Sequence, residues 1–343
     1  MEGKMNILIT MPTGSERDTF FTPLSIKYLE ELGNITYNPY ERNYTREELK
    51  EALKGIDIVF CGWGSTLYDE EILSSADSLK ILAYTAGSLS GVVDDAVYKK
   101  NITVLGANGV FAESVAEGCL CYAMVGLRRI EKYARLMREG GWRPSQFYNE
   151  GILNKTIGLV GFGAIAKKFV EFLKPFQCEI LVNSGHLTEE EASKYGVKAA
   201  SLDEVFEKSD IISLHQSLNE KNYHMVGKEQ FNKMRTGSLL INTARGKLLD
   251  EEALIEELKT GRIHAVLDVF ESEPLLADSP LRSLENVTLI PHMGGPTIDR
   301  RQYCVIRLCQ DIVKYNQGKT DIETLIPLEY VKNMTKHKLT KNI

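Results

Sequence analysis

The stretch IGLVGFGAIAKKFVEFLKPFQCEILVNSGHLTEEE, residues 157–191, decides how this chain is read. It opens on an apolar run, Ile157 to Val160, turns through Gly161-Phe162-Gly163, and continues as a helical pattern that Pro175 ends. A second apolar run, Cys178 to Val182, follows. Strand, glycine turn, helix, strand is the order of a unit that binds a dinucleotide. Gly161 permits the tight turn, Gly163 lets a phosphate approach the backbone, and Ala166 is small enough for the helix to pack on its strand. The free amides where the helix begins, over Phe162 to Ile165, attract a pyrophosphate. A lone G-x-G-x-x-A also occurs as a plain glycine turn; the flanking strand and helix favour the nucleotide. Where such a unit normally carries an acid for the adenosine ribose, the chain reads Asn183-Ser184-Gly185-His186.

Outward from this unit, 343 residues are too many for one ordinary core and suit two domains. A net charge of −6 gives no basic footprint for nucleic acid, so none is expected as a partner. The start, MEGKMNILIT, holds too short an apolar run for a signal peptide, and no stretch reads as an uninterrupted membrane span. A cytoplasmic protein without a membrane partner is expected. Six cysteines (61, 119, 121, 178, 304, 309) show no C-x-x-C, so neither disulfides nor a bound metal is expected. The final VKNMTKHKLTKNI, with four lysines, reads as a solvated tail.

The first hundred residues alternate in a βαβαβ rhythm: MNILITM, DTFFTPLSIKYLEELG, ITYNPY, TREELKEALKG, IDIVFCG. Thr45 with Glu48 has the form of a capping box. LKILAYTA and ITVLGA extend the alternation to an open parallel sheet of about five strands. Ala112 to Gly140 reads as one long helix that bridges two lobes. TIGLVGFG, CEILVNS, DIISLH, GSLLINTA, HAVLDVF and VTLIPH then make a second doubly wound sheet, and DRRQYCVIRLCQDIVKYNQG is a helix placed to return to the first lobe. The class is therefore α/β, with two doubly wound parallel-sheet domains, Rossmann-like or flavodoxin-like.

Three strand endings carry chemistry. INTARG places Arg245 at a strand's carboxyl end, where ligands bind in open α/β sheets and a planar guanidinium suits a carboxylate. LDVFESEP and LIPHMGGPT end two further strands, offering Glu273 and His292 as a proton-transfer pair in which the anion favours imidazolium and orients the ring. Each residue alone is more often a surface cation, a solvated acid or a loop histidine; three at strand ends are harder to dismiss.

The ordered set GFGAIA, INTARGKLLDEEAL, LDVFESEP and LIPHMGGPT, with ESVAEGCLCYAM and SDIISLH, resembles the D-isomer-specific 2-hydroxyacid dehydrogenases, from about Ile56 to about Tyr315. The resemblance implies an NAD(P)-dependent oxidoreductase acting on a CH–OH donor, with the active site in the cleft between the two domains, residues 1–110 and 300–343 as a discontinuous substrate domain, residues 111–299 as the nicotinamide dinucleotide domain, and Arg245, Glu273 and His292 catalytic. It implies cofactor contacts from Gly161, Phe162, Gly163, Ala164, Ile165, Asn183, Ser184, His186, His215, Thr243, Ala244, Asp268 and His292. Substrate would meet Arg245, the amides of Ala86, Gly87 and Ser88, and Trp63, with Tyr84 and Phe111 as further pocket candidates. His224, His264 and His337 are given no role. The loop TAGSLSGVVDD departs from the family pattern, a glycine pair soon followed by Asp, and reads as about two residues longer. Trp142 resembles a tryptophan near the family's dimer arm, with core packing as the plainer reading, and a homodimer through Gly126 to Gln146 is expected. No appended regulatory domain is expected. The absent acid at Ser184 favours NADP(H) over NAD(H). A nicotinamide-sensing regulator without turnover and a formate-type dehydrogenase are the alternatives.

Overall fold

The computed structural model describes residues 4–89, 91–145 and 147–332. The tail's residues 333–343, His337 among them, lie outside that range, as does Gln146 at the end of the expected dimer segment. The described residues divide into two compact units, 4–111 with 296–332, and 112–295.

The first unit is built on five parallel strands: β1 (Met5–Ile9), β2 (Gly33–Tyr37), β3 (Ile58–Cys61), β4 (Ile81–Tyr84) and β5 (Thr103–Gly106), in the order β2-β1-β3-β4-β5. The central strands β3 and β4 are buried along their whole length, as strands covered on both faces must be. One face packs Leu8, Val59, Leu82 and Val104 on Tyr68 and Val97. The other packs Ile7, Ile9, Phe60 and Ala83 on the helix Arg301–Asn316, through Cys304, Val305, Leu308 and Ile312. The Thr45–Glu48 capping box forms with both of its hydrogen bonds and starts the helix Arg46–Ala52.

The second unit has seven parallel strands in the order β12-β11-β10-β9-β6-β7-β8. They are β6 (Thr156–Val160), β7 (Glu179–Asn183), β8 (Lys198–Ala199), β9 (Ile211–Leu214), β10 (Leu239–Asn242), β11 (His264–Leu267) and β12 (Val287–Leu289). The winding direction reverses between β6 and β9, which pair directly, Ile157 with Ile211 through Val160 with Leu214. Loops leaving two such strands diverge, opening a crevice at their carboxyl ends.

One expectation needs correction. The bridging segment is not one helix but two, Asn108–Arg128 and Ile130–Arg138, broken at Arg129 in the left-handed region (φ 51°, ψ 42°). Nothing local forbids a continuous helix there. The break is held from outside: the Arg129 guanidinium lies 3.8 Å over the Tyr148 ring and hydrogen-bonds His264 Nε2. Asn108–Arg128 is also long and apolar enough, by composition, to cross a membrane. Its Ala116, Cys119, Ala123 and Leu127 are instead buried in the second unit's core against Ile157, Ile241 and Val266. The six cysteines are free thiols, four of them buried.

Candidate active site

The glycine turn sits at the reversal point of the second sheet. Gly161 has φ +96°, and a Cβ there would come 2.8 Å from the His215 carbonyl carbon, so only glycine lets the loops after β6 and β9 approach this closely. Its amide donates to Asn183 O at 2.8 Å, tying the turn to the end of β7. The helix Ala164–Leu173 begins at Gly163 with no side-chain cap, and a Cβ on Gly163 would meet nothing within 4 Å. Unfilled amides at a helix start beside open space fit a pyrophosphate. Phe162 is buried edge-on against Tyr195, 5.5 Å between centroids.

Around that turn the expected cofactor residues differ in what they can offer. The Asn183 side-chain amide is engaged, Nδ2 donating to Ala200 O at 3.1 Å. Ser184 Oγ accepts from the His186 amide at 3.3 Å, which shapes the turn. His186 is exposed. His215 carries two buried ring nitrogens without a hydrogen-bond partner, and burial pulls its pKa down to about 4, so the ring is neutral. Buried polar atoms without partners are rare in folded chains. Lys167 and Lys168, the nearest cations in sequence, are paired with Glu191 and Glu171.

The three strand endings converge within the second unit. The His292 imidazole Nδ1 and Glu273 Oε2 are 2.6 Å apart. Glu273 Oε1 accepts from the Phe270 amide at 3.0 Å, which fixes the carboxylate while leaving His292 Nε2 for a ligand. The hydrogen bond to Glu273 raises the His292 pKa above its ordinary value; burial opposes this, and the charges of Glu273 and Asp268 reinforce it. For Glu273, burial pushes the pKa up, but His292, the Phe270 amide and the Arg245 charge together hold it below the usual value. Both shifts favour the imidazolium–carboxylate form of the pair.

Arg245 follows β10 across a turn that Asn242 builds. Asn242 Oδ1 accepts from the Ala244 amide at 3.0 Å, and its Nδ2 donates to Arg245 O at 2.9 Å. Next to it, Gly246 runs against the loop after β11: a Cβ there would come 1.9 Å from the Phe270 carbonyl carbon, so any side chain would push the two loops apart. Burial lowers the Arg245 pKa and the nearby Glu273 raises it; a guanidinium stays charged throughout. Asp268 accepts from the amides of Met293 and Gly294 at 2.6 and 2.8 Å, anchoring the backbone after His292, and burial raises its pKa. Thr243 Oγ1 lies 3.2 Å from Cys119 Sγ, a thiol whose pKa burial pushes up to about 12.

One pair escaped the sequence. His224, whose amide donates to Lys247 O, hydrogen-bonds Glu271, and the Glu271 amide donates to Glu251 Oε2. These contacts tie the loop carrying Arg245 to the loop carrying Glu273. The only signal was ESEP, whose first acid lies two residues before Glu273, and nothing in it named His224.

The substrate-side candidates lie in the first unit, at the carboxyl ends of β3 and β4. Ala86 is buried and Gly87 and Ser88 are partly exposed. Phe111 packs beneath Gly87, and Trp63 packs on Phe111 at 6.0 Å. Tyr84 is buried in the core. Ser90, in the loop after β4, is outside the described residues.

Residues 120–294, just over half of the chain, match the model of the D-isomer specific 2-hydroxyacid dehydrogenase NAD binding domain. A glyoxylate reductase from Korarchaeum cryptofilum is 33% identical over 73% of this chain and 77% of its own length. A D-3-phosphoglycerate dehydrogenase from Methanocaldococcus jannaschii is 31% identical over 92% of this chain, which spans 58% of that relative. Among solved structures, an acyclic imino acid reductase in complex with NADPH and D-Arg is 26% identical, with a TM-score of 0.76 over 94% of this chain and 100% of that one. A phosphate-ready glycine turn, a histidine–carboxylate pair beside a half-buried arginine, and relatives matched over most of the chain lead to one conclusion: this chain belongs to the D-isomer specific 2-hydroxyacid dehydrogenases.

Proposed function

We propose that the protein reduces a 2-oxo acid to the D-2-hydroxy acid, and runs the reverse, with Arg245, His292 and Glu273 as its working residues. The observation that carries this is the 2.6 Å contact between His292 and Glu273. A formate-type oxidation has no use for a paired proton donor, and a sensor without turnover has no use for one poised as imidazolium. The bound nicotinamide supplies or accepts the hydride. In reduction, Arg245 binds the substrate carboxylate and polarises the carbonyl, together with the amides of Ala86, Gly87 and Ser88. The His292 Nε2 proton passes to the carbonyl oxygen as hydride adds to the carbon. Glu273 stays ionised, orients the ring through Nδ1 and stabilises the imidazolium until the proton leaves. Gly161 to Ile165 hold the pyrophosphate, and Thr243, Ala244 and Asp268 border the nicotinamide.

NADP(H) is preferred over NAD(H) in this reading, because Ser184 stands directly after β7 where an acid would repel a 2′-phosphate, and its hydroxyl can donate to one. Following cofactor absorbance with a panel of 2-oxo acids and both cofactors tests reaction and preference together. Ser184→Asp should move the ratio of catalytic efficiencies towards NAD(H) by about tenfold, ~1.4 kcal/mol. A parent enzyme that already prefers NADH strongly, with a ratio the substitution leaves unmoved, would show that Ser184 does not face the ribose.

The assembly we propose is a homodimer through the segment around residues 126–146. Trp142 is 75% exposed rather than packed in the core, and Ile130, Met137, Phe147 and Leu153 are exposed with it. So much apolar surface on one arm favours a protein partner. Light scattering should return twice the chain mass at micromolar concentration, and a monomer there would refute the assembly.

A further inference from the structure

Trp63, a substrate-side candidate, forms a cluster with Phe20 and Arg301 in the first unit, and the proposed reduction gives Arg301 no role. The order β2-β1-β3-β4-β5 reverses its winding between β1 and β3. Ligands in open α/β sheets bind where the loops leaving two such strands part. The loop after β1 leads into the helix Ser15–Phe20, and the loop after β3 carries Trp63. The Trp63 ring stands edge-on to Phe20 at 5.4 Å and to Phe111 at 6.0 Å. Phe111 supports Gly87, where a Cβ would lie 2.9 Å from Phe111 Cδ1. One aromatic ring thus separates Trp63 from the loop assigned to the substrate carboxylate. Phe20 is fully buried, whereas Trp63 is 36% exposed.

Arg301, the first residue of the helix Arg301–Asn316, completes the cluster. Its guanidinium carbon lies 5.2 Å from the Trp63 ring centre and 5.6 Å from that of Phe20. Two long hydrogen bonds tether it, Nε to Pro296 O and Nη1 to Thr19 Oγ1, each 3.3 Å. A guanidinium has five N–H donors, so most of its capacity is unspent. Among the described residues no carboxylate ion-pairs with it, although acids outnumber Lys and Arg in the chain, 47 to 41. A cation ordered on aromatic faces, with its fork unmatched, is prepared for a planar or tetrahedral anion.

We propose that Arg301, set on Trp63, binds a second anionic group at the far end of the substrate, so that the enzyme prefers 2-oxo acids bearing a distal carboxylate or phosphate. This deepens the 2-oxo acid reading and rests on it. The geometry explains why an arginine stands at the β1/β3 crevice at all: a neutral side chain would need only the aromatic wall. It also assigns the lengthened loop after β4 a neighbour that binds one end of the substrate while the loop binds the other.

The test compares matched substrate pairs: 2-oxoglutarate with 2-oxopentanoate for a carboxylate, and phosphohydroxypyruvate with hydroxypyruvate for a phosphate. The wild-type enzyme should favour the dianion of at least one pair by about tenfold in kcat/KM, mostly through KM, and the pair that shows it names the anion. In Arg301→Met, which keeps length and contact with Trp63, that preference should collapse towards one. In Arg301→Lys, which keeps the charge but not the fork, part of it should survive. Equal use of both members of each pair by the wild type, or a preference unmoved by Arg301→Met, overturns the proposal. Calorimetric titration of the cofactor-loaded enzyme with D-2-hydroxyglutarate and D-2-hydroxypentanoate separates this from the parent reading. If no 2-oxo acid is turned over, the reductase reading fails, while tighter binding of the dianion, lost in Arg301→Met, still upholds the anion site. Equal binding of the two acids, with no turnover, sinks both.

Discussion

Arg245→Ala should lower kcat/KM by on the order of 10²- to 10³-fold, about 3–4 kcal/mol of transition-state stabilisation, while leaving cofactor affinity nearly unchanged. The size follows from the residue's setting. A guanidinium beside Glu273, half-buried on a turn that Asn242 fixes with two hydrogen bonds, loses little freedom when a carboxylate arrives, and its partial burial reduces screening by water. It acts on substrate and transition state differently: the carboxylate is bound in both, but charge gathers on the carbonyl oxygen only as hydride adds. Turnover and substrate affinity should therefore both fall. Arg245→Lys should recover little, because a single ammonium cannot reproduce the planar fork. A variant with near-normal kcat/KM would remove Arg245 from the site.

The second large effect concerns proton transfer. Reduction requires imidazolium at His292, and oxidation requires the neutral ring. Glu273 raises the His292 pKa above its ordinary value of 6.5, so the reductive rate should fall as pH rises through that elevated pKa, with the oxidative rate rising over the same window. The linked stability has the same sign: a histidine whose folded pKa is raised contributes stability that is fully present below its unfolded pKa and is lost as pH climbs through the folded one. Glu273→Gln removes the anion but leaves the burial, which by itself lowers the pKa, so the kinetic transition should move to lower pH. At neutral pH the reductive rate should drop by about 10²-fold or more, the usual worth of a placed general acid. His292→Ala should abolish the transition. A pH profile that Glu273→Gln leaves in place, with chemistry shown to limit the rate by a deuteride isotope effect, would contradict the pairing.

Much of the fold could be read from local pattern. Apolar runs such as Ile157–Val160 and Leu239–Ile241 are the inward faces of strands covered on both sides, and burial of a whole strand leaves an uninterrupted apolar signature. Capping chemistry is equally local: Thr45 and Glu48 need only their three-residue spacing to satisfy each other's backbone. The glycine turn belongs to the same group, since the requirement for positive φ at Gly161 is written in the residue itself.

What a residue meets from far along the chain is a different matter. Arg129 breaks a helix that composition would continue, because Tyr148 and His264 take hold of its side chain, the latter from 135 residues away. Trp142 carries the same apolar signal whether it fills a core or faces outward, and only the packing leaves it outside. His224 and Glu271, 47 residues apart, meet because Gly246 lets two loops touch. Arg301 reads as one more surface cation of a helix until Trp63 and Phe20 come beneath it. The sequence by itself determined the succession of strands along the chain, the nucleotide turn and the chemical types at the strand ends, because these depend on backbone propensity and on spacing of a few residues. The tertiary structure decided which charges are paired, which are left with open valences and where a helix must stop, because those depend on distances between segments that no local pattern encodes.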